Sequence, residues 1–393
     1  MSQQMHAPRR SWIVGAVAGL HARKPLRERD VADRPLLDTV RWISAAVVVL
    51  GHSMGLVFAR NSISAGLLDP LDFLSGLRGP AVTMFFVISG YLVGGGVLER
   101  ARGFRWKPYA VARFSRIYIV LIPAILLICL LDGIAFRIDP ASPVYNAIWP
   151  SGVLGSVPIV DHYAPINWVV TILSLAGVVA APLGTGNALW SLGYEWVFYF
   201  VFPLLVVPFA RFRSLLVPLV PITLLLGVLI VAGRPIDAAF FAIWIAGAYA
   251  RVLNDYADVP GWLAWAGALV AAAALVVSHF GAVNAAMLVM GLGFSLYLSR
   301  RPAGERGLSR RVDRLLADSS YSLYVTHFPV VIFLAFLFHR AGLLPVSGLP
   351  LNGLSLAMVA AMMIASLALA WAFGVLFEQR TGRFRAWIDR RLA

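Results

Sequence analysis

A single cysteine, Cys129, stands in 393 residues, so no intramolecular disulfide can form and no cysteine-rich metal site can be built. Charge is scarce as well: Asp, Glu, Lys and Arg make up 13% of the chain, against about 25% in soluble proteins. So few charged side chains cannot cover a water-facing surface. Acidic residues are the scarcer sign, 19 against 33 basic, for a net charge of +14. A basic excess can signal nucleic acid. Here, however, the basic residues gather in short segments beside apolar runs, and no nucleic-acid-binding module is present. The seven histidines are scattered, and HExxH, CxxC, GxSxG and Walker patterns are all missing. No metal centre is expected. Nor is there a repeat of fixed period or a low-complexity tract.

What fills the chain instead is apolar sequence: 60% hydrophobic residues and a mean hydropathy of +0.80. The expected fold is all-α, a polytopic membrane bundle of about ten transmembrane helices occupying residues 36–378. The spans are expected near 38–58, 74–98, 116–133, 188–210, 214–232, 236–252, 261–279, 283–299, 319–339 and 352–377. An N-terminal arm, 1–35, and a tail, 379–393, are both basic. The arm holds a short apolar stretch, Trp12 to Leu20, that faintly resembles a signal peptide but lacks a small-x-small cleavage site. Segments 99–116 and 300–314 are basic too, and the positive-inside rule assigns all four to the cytoplasm. Two cytoplasmic termini require an even number of crossings. The apolar stretch 165–182 is therefore expected to be re-entrant or interfacial, within a proline-rich external excursion, 134–187.

Ionisable side chains inside such spans are costly and usually face a bundle interior or a wet cavity. In the first span, Arg41 and His52 are eleven positions apart, which at ~100° per residue puts them on one helix face, roughly 16 Å apart along the axis. Asp38 lies one turn before Arg41. Arg113 and Arg116 are spaced i, i+3, so their guanidinium forks can project together and suit phosphate groups; ordinary interfacial anchoring is the competing reading. Glu195 sits among aromatics in LWSLGYEWVFYF, and His327 follows Tyr321 and Ser322 in SYSLYVTHFPVV. Either histidine could instead be a packing hydrogen bond between helices. The stretch Gly79 to Gly96 is rich in small residues that let helices approach closely, while Thr83 and Ser89 could donate into a cavity. A histidine at neutral pH suits deprotonation of a hydroxyl, or carriage of an acyl group on its own nitrogen.

Taken together, Arg-x10-His in the first helix, GPAVTMFFVISGYL, the Arg113-x-x-Arg116 pair, WSLGYEWVFYF and SYSLYVTHFP resemble the acyltransferase-3 family of integral membrane acyltransferases that modify bacterial surface glycans. The resemblance spans about 36 to 377. It implies transfer of an acyl group, usually acetyl, from cytoplasmic acyl-CoA to a hydroxyl of an extracytoplasmic or lipid-linked carbohydrate. His52 would be the catalytic histidine with Arg41 as its companion, and Arg113 and Arg116 would meet the CoA phosphates. Glu195, His327, Ser322, Tyr321 and Asp38 would line the substrate cavity. No tightly bound cofactor is implied. The implied setting is a bacterial inner membrane, with polysaccharide-assembly proteins as possible partners. Two routes stay open, His52 as base for direct attack or an acyl-histidine intermediate. The rival class is a secondary transporter or flippase using the same intramembrane His, Glu and Arg. It predicts symmetry between the halves 38–232 and 236–377, and none is recognisable.

Overall fold

A computed structural model describes residues 34–58, 70–146, 149, 157–212, 216–257, 259–279, 283–300 and 307–392. Residues 1–33, and with them the apolar stretch of the N-terminal arm, lie outside the described residues. In lipid every backbone N–H and C=O must be satisfied within the segment, so apolar runs of this length fold as helices. The chain opens with α1 (Pro35–Val57), whose first residue is the proline tolerated at a helix start. It continues through α2 (Pro70–Gly76), α3 (Arg78–Ser89), a π-helical turn (Gly90–Gly94) and α4 (Gly95–Arg100). Next come α5 (Trp106–Ile138), the short α6 (Pro165–Ile172), α7 (Trp190–Val206), α8 (Leu219–Val231), α9 (Pro235–Tyr256), α10 (Gly261–Ser278) and α11 (Val283–Leu298). The chain ends with α12 (Arg310–Ala317), α13 (Ser320–Arg340), α14 (Gly353–Leu376) and α15 (Thr381–Leu392). Among the described residues there is no strand, only the isolated bridges Phe58–Leu349 and Ala176–Ala180.

Eight helices or helix runs are long and apolar enough to cross a membrane, and two shorter apolar helices, Leu219–Val231 and Asn284–Leu298, accompany them among the described residues. The protein is an all-α membrane bundle, and about ten crossings fit its helices. Large apolar side chains such as Leu126, Leu224, Leu269 and Ile364 are exposed on its outside, where lipid rather than water is their natural solvent. The third span starts earlier than its hydropathy suggests. Its helix begins at Trp106, so residues 106–116 of the expected basic loop are helical and carry Arg113 and Arg116 on rigid backbone. The stretch 165–182 forms only eight helical residues, about 12 Å at ~1.5 Å each, too short to cross a ~30 Å core.

Helix α13, buried over most of its length, packs on α1, α5 and α14. Facing it across the site, α3 and the π-turn lie against α9 with backbones nearly touching. A Cβ on Gly90 would fall 1.8 Å from the Trp244 carbonyl oxygen, and one on Gly247 2.2 Å from that of Val87. Only glycine fits these two crossings. The small-residue stretch is thus a packing face.

Between α5 and α7 the chain hangs from one buried carboxylate. Asp132 accepts from the Thr185 N–H (2.9 Å), the Thr185 hydroxyl (2.7 Å), Tyr163 (2.7 Å) and Tyr145 (3.4 Å). Trp149 adds a second tie, donating its indole N–H to the Leu56 carbonyl at 3.1 Å. These bonds seat the connection over the end of the bundle at which α1 finishes.

Candidate active site

Two cavities among the described residues bear on the site. The first, about 370 Å³, is lined by Arg41, Arg113, Arg116, Glu195, Ser89, Tyr199, Tyr321 and Ser191, with an apolar wall that includes Phe85 and Ile117. The second, about 470 Å³, is lined by His52, Arg78, Asn187, Ser278 and His279, with Phe73 and Trp190 as aromatic walls. Both volumes fall within the ~300–1,000 Å³ typical of ligand sites. Val82 and Tyr324 line both cavities, so these two side chains are the wall between them. The Tyr324 hydroxyl shares a 2.6 Å hydrogen bond with Ser191, and its ring meets Phe85 edge to face at 5.4 Å.

His52 is held by the other intramembrane histidine. Its Nδ1 lies 3.0 Å from Nε2 of His327, with the ring planes 11° apart, while Phe328 packs edge-on at 4.9 Å. The protons of this pair follow from the neighbours. Nδ1 of His327 faces the carbonyl oxygens of Tyr324 (2.8 Å) and Leu323 (3.2 Å), which can only accept. It must therefore carry a hydrogen, which leaves Nε2 of neutral His327 as an acceptor. His52 then donates from Nδ1, and its unprotonated nitrogen is Nε2. His327 is completely buried and lines neither cavity; it acts on His52, not on a ligand.

The arginines differ in what they already hold. Arg116 donates to Glu378 at 2.8 Å and lies over the Tyr321 ring at 5.3 Å. Glu378 is buried and also accepts from the Ser322 N–H (2.9 Å) and hydroxyl (2.7 Å), closing a clamp between α5, α13 and the end of α14. Arg113 stands over the rings of Tyr109 and Tyr199 at 5.8 and 5.7 Å, and its buried Nε has no hydrogen-bond partner among the described residues. Arg41 is 3.6 Å from Asp38. Glu195 accepts from Tyr199 at 2.5 Å and from Ser89, whose own oxygen accepts from Trp244 at 3.1 Å. Thr83 spends its hydroxyl on the Gly79 carbonyl instead.

Several sequence expectations change here. Arg41 and His52 do share a helix face, but they open on different cavities, so Arg41 is a neighbour of Arg113 and Arg116, not a contact of His52. Glu195 and Tyr321 line the first cavity. His327, Ser322 and Asp38 line neither: His327 sits behind His52, Ser322 is turned onto Glu378, and Asp38 is paired beside Arg41. Tyr324, Ser191, Tyr199 and Glu378 were not anticipated. Glu378 alone left a signal, as the acid that ends the last apolar run opposite a basic mouth.

The family model of the acyltransferase domain, the acyltransferase-3 type, matches residues 34–375. The chain belongs to that family. Searches of curated proteins and of solved structures find no match. This acyltransferase domain thus takes in α1 to α14 almost to its end, with both cavities and the histidine pair, and leaves α15 outside it. The transporter reading has no comparable support.

Proposed function

We propose that this membrane acyltransferase moves an acyl group, acetyl in the simplest case, from cytoplasmic acyl-CoA to a hydroxyl of a carbohydrate on the far side of the bundle. The observation that carries the reading is the placement of His52: it lines the cavity opposite the arginine cavity, across a wall to which Val82 and Tyr324 contribute, and its Nδ1 is held by His327 so that Nε2 is left for chemistry. The positive-inside rule puts the arginine end in the cytoplasm, and a bacterial inner membrane is the setting that suits the family. Arg113, with Arg41 and Arg116 beside it, attracts the anionic donor. The acceptor hydroxyl occupies the His52 cavity among Asn187, Ser278 and the ring of Trp190.

In the direct route, the hydroxyl gives its proton to His52 Nε2 as its oxygen attacks the thioester carbonyl. The C–S bond breaks and the departing thiolate takes up the proton. His52 keeps its Nδ1–H on His327 throughout, so the imidazolium formed in passing is shared with a neutral base rather than left bare. A second route has the wall in its favour. With donor and acceptor in separate cavities, His52 Nε2 can attack the thioester carbonyl first, the C–S bond breaking and the thiolate leaving. The acceptor hydroxyl then attacks the acyl-imidazolium, the N–C bond breaks, and the hydroxyl's proton is released and balances the one the thiolate takes up. Excluding water from the passage limits thioester hydrolysis in both.

The test is the O-acyl content of the host's surface and lipid-linked glycans by mass spectrometry. Three strains are compared: a deletion, the deletion restored with wild type, and the deletion restored with His52→Ala at equal membrane abundance. An acyl mass that returns only with wild type establishes the reaction and names donor length and acceptor together. Return with both proteins removes His52 from the chemistry. Radiolabelled acyl-CoA without acceptor separates the routes, because only the second leaves label on the protein.

A further inference from the structure

A third cavity, about 350 Å³, lies beside the arginine cavity and shares Leu92, Val93 and Arg113 with it, so the two adjoin at these residues. Four arginines line it: Arg100 at the end of α4, Arg105 in the following turn, Arg113 on α5 and Arg385 on α15. Among the described residues no carboxylate does. Glu99, next to Arg100 in sequence, is engaged on Arg251 through bonds of 2.7 and 2.6 Å, while Asp389 lies 3.9 Å from Arg385 on the same helix without lining the cavity. The remaining wall is aromatic and apolar. Phe104 packs on Trp106 and Tyr109 at 5.0 Å each, and Tyr109 carries Arg113 over its ring. The unpartnered, buried Nε belongs to Arg113, the arginine that lines both cavities.

We infer that this chamber, part of whose wall is the C-terminal helix α15, seats the 3′-phosphorylated ADP end of the acyl donor. The inference rests on the acyl-CoA reading above and specifies where the donor's nucleotide lies. Converging guanidinium forks from separate elements match several phosphates on one ligand, and a flat aromatic wall beside them matches a purine. Phosphorylated lipid head groups share the charge but not the shape, since they lie on an open surface and gain nothing from a chamber that continues inward. The thioester arm would run from here past Arg113 and Arg41 toward the Val82–Tyr324 wall. Two contacts hold α15 in place: it packs on α5, and Lys107 donates to the Leu392 carbonyl at 2.5 Å. This helix lies beyond the matched domain, which ends at 375.

The experiment uses the full chain in nanodiscs of zwitterionic lipid. Binding of adenosine 3′,5′-bisphosphate is followed by calorimetry for wild type, Arg385→Ala, Arg105→Ala and Arg385→Lys. Turnover is compared between acetyl-CoA and S-acetyl-N-acetylcysteamine, a thioester with no nucleotide. Each alanine variant should weaken bisphosphate binding about three- to tenfold. Each should also raise the KM for acetyl-CoA, relative to that for the short thioester, by the same factor, and Arg385→Lys should recover part of the loss. Unchanged bisphosphate affinity in both alanine variants overturns the proposal. So does bisphosphate binding that phosphatidylglycerol abolishes and CoA does not compete for, because that describes a lipid site. If wild type turns over neither thioester, the acyl-transfer reading fails by itself, and the bisphosphate isotherms still decide the chamber.

Discussion

Nδ1 of His52 and Nε2 of His327 lie 3.0 Å apart, although the two residues are 275 positions apart in sequence. The bond makes one histidine the other's tautomer setter. His327→Leu should lower kcat about a hundredfold with little change in acceptor KM, the scale of a displaced general base. His327→Gln should recover much of the rate, because its amide can accept from His52 and donate to the Tyr324 carbonyl. Equal losses in the two variants would reduce His327 to a packing residue.

Arg113 and Arg116 should separate in their effects. Arg116 is committed to Glu378, whereas Arg113 keeps an unused donor. Arg113→Ala is expected to raise the KM for acyl-CoA about tenfold, the value of one charge-assisted bond. Glu378→Ala leaves the buried Ser322 N–H unsatisfied and should cost ~1–3 kcal/mol, read as a lower unfolding temperature in detergent. A donor KM that moves with Arg116→Ala and not with Arg113→Ala would reverse this division of labour.

The hydroxyl latch on the wall can be cut from either side. Ser191→Ala and Tyr324→Phe each remove the 2.6 Å bond and keep the ring. One such bond is worth ~0.5–1.5 kcal/mol, so acyl-CoA hydrolysis without acceptor should rise roughly two- to tenfold in both. Hydrolysis at the wild-type rate in both variants would mean that the bond does not hold the wall shut.

Acid should loosen the joint between α12 and α1. Burial pushes the Asp313 carboxyl up, but hydrogen bonds from the Trp42 indole and the Ser309 N–H, both 2.9 Å, outweigh it and hold its pKa below the ordinary 3.8. A carboxylate lowered on folding stabilises above its unfolded pKa and loses that contribution as pH falls through the folded one. Asp313→Asn should therefore melt below wild type at pH 6, with the gap closing toward pH 3. A gap that stays constant would show that charge on Asp313 does not matter.

The helices and the polar residues facing inward were legible because lipid leaves few alternatives: an apolar run must be helical, and an ionisable group in it must find an interior. The eleven-residue spacing placed Arg41 and His52 on one face correctly. It could not tell that a wall contributed by α3 and α13 divides that face, with Val82 from one helix and Tyr324 from the other. Ser322 looked like a cavity hydroxyl because its partner, Glu378, is 56 residues away. Asp132 escaped notice for the same reason, since its four donors arrive from the connection that follows it. Helix periodicity reports direction, whereas these residues are defined by what comes to meet them.

The glycine crossings of α3 and α9 also bear on how the protein moves. Two elements whose backbones meet at Gly90 and Gly247 have no side-chain layer on which to slide, so this seam opposes the rocking of half-bundles by which transporters alternate. Between the cavities stand only side chains, among them a tyrosine ring and a valine. Side-chain rotations belong to the picosecond-to-nanosecond range when unhindered, and helix rearrangements to microseconds or slower. On the proposed acyl-transfer reading, such a bundle would act as a fixed housing with a turnstile, keeping the membrane sealed while something as slender as an acyl chain goes through.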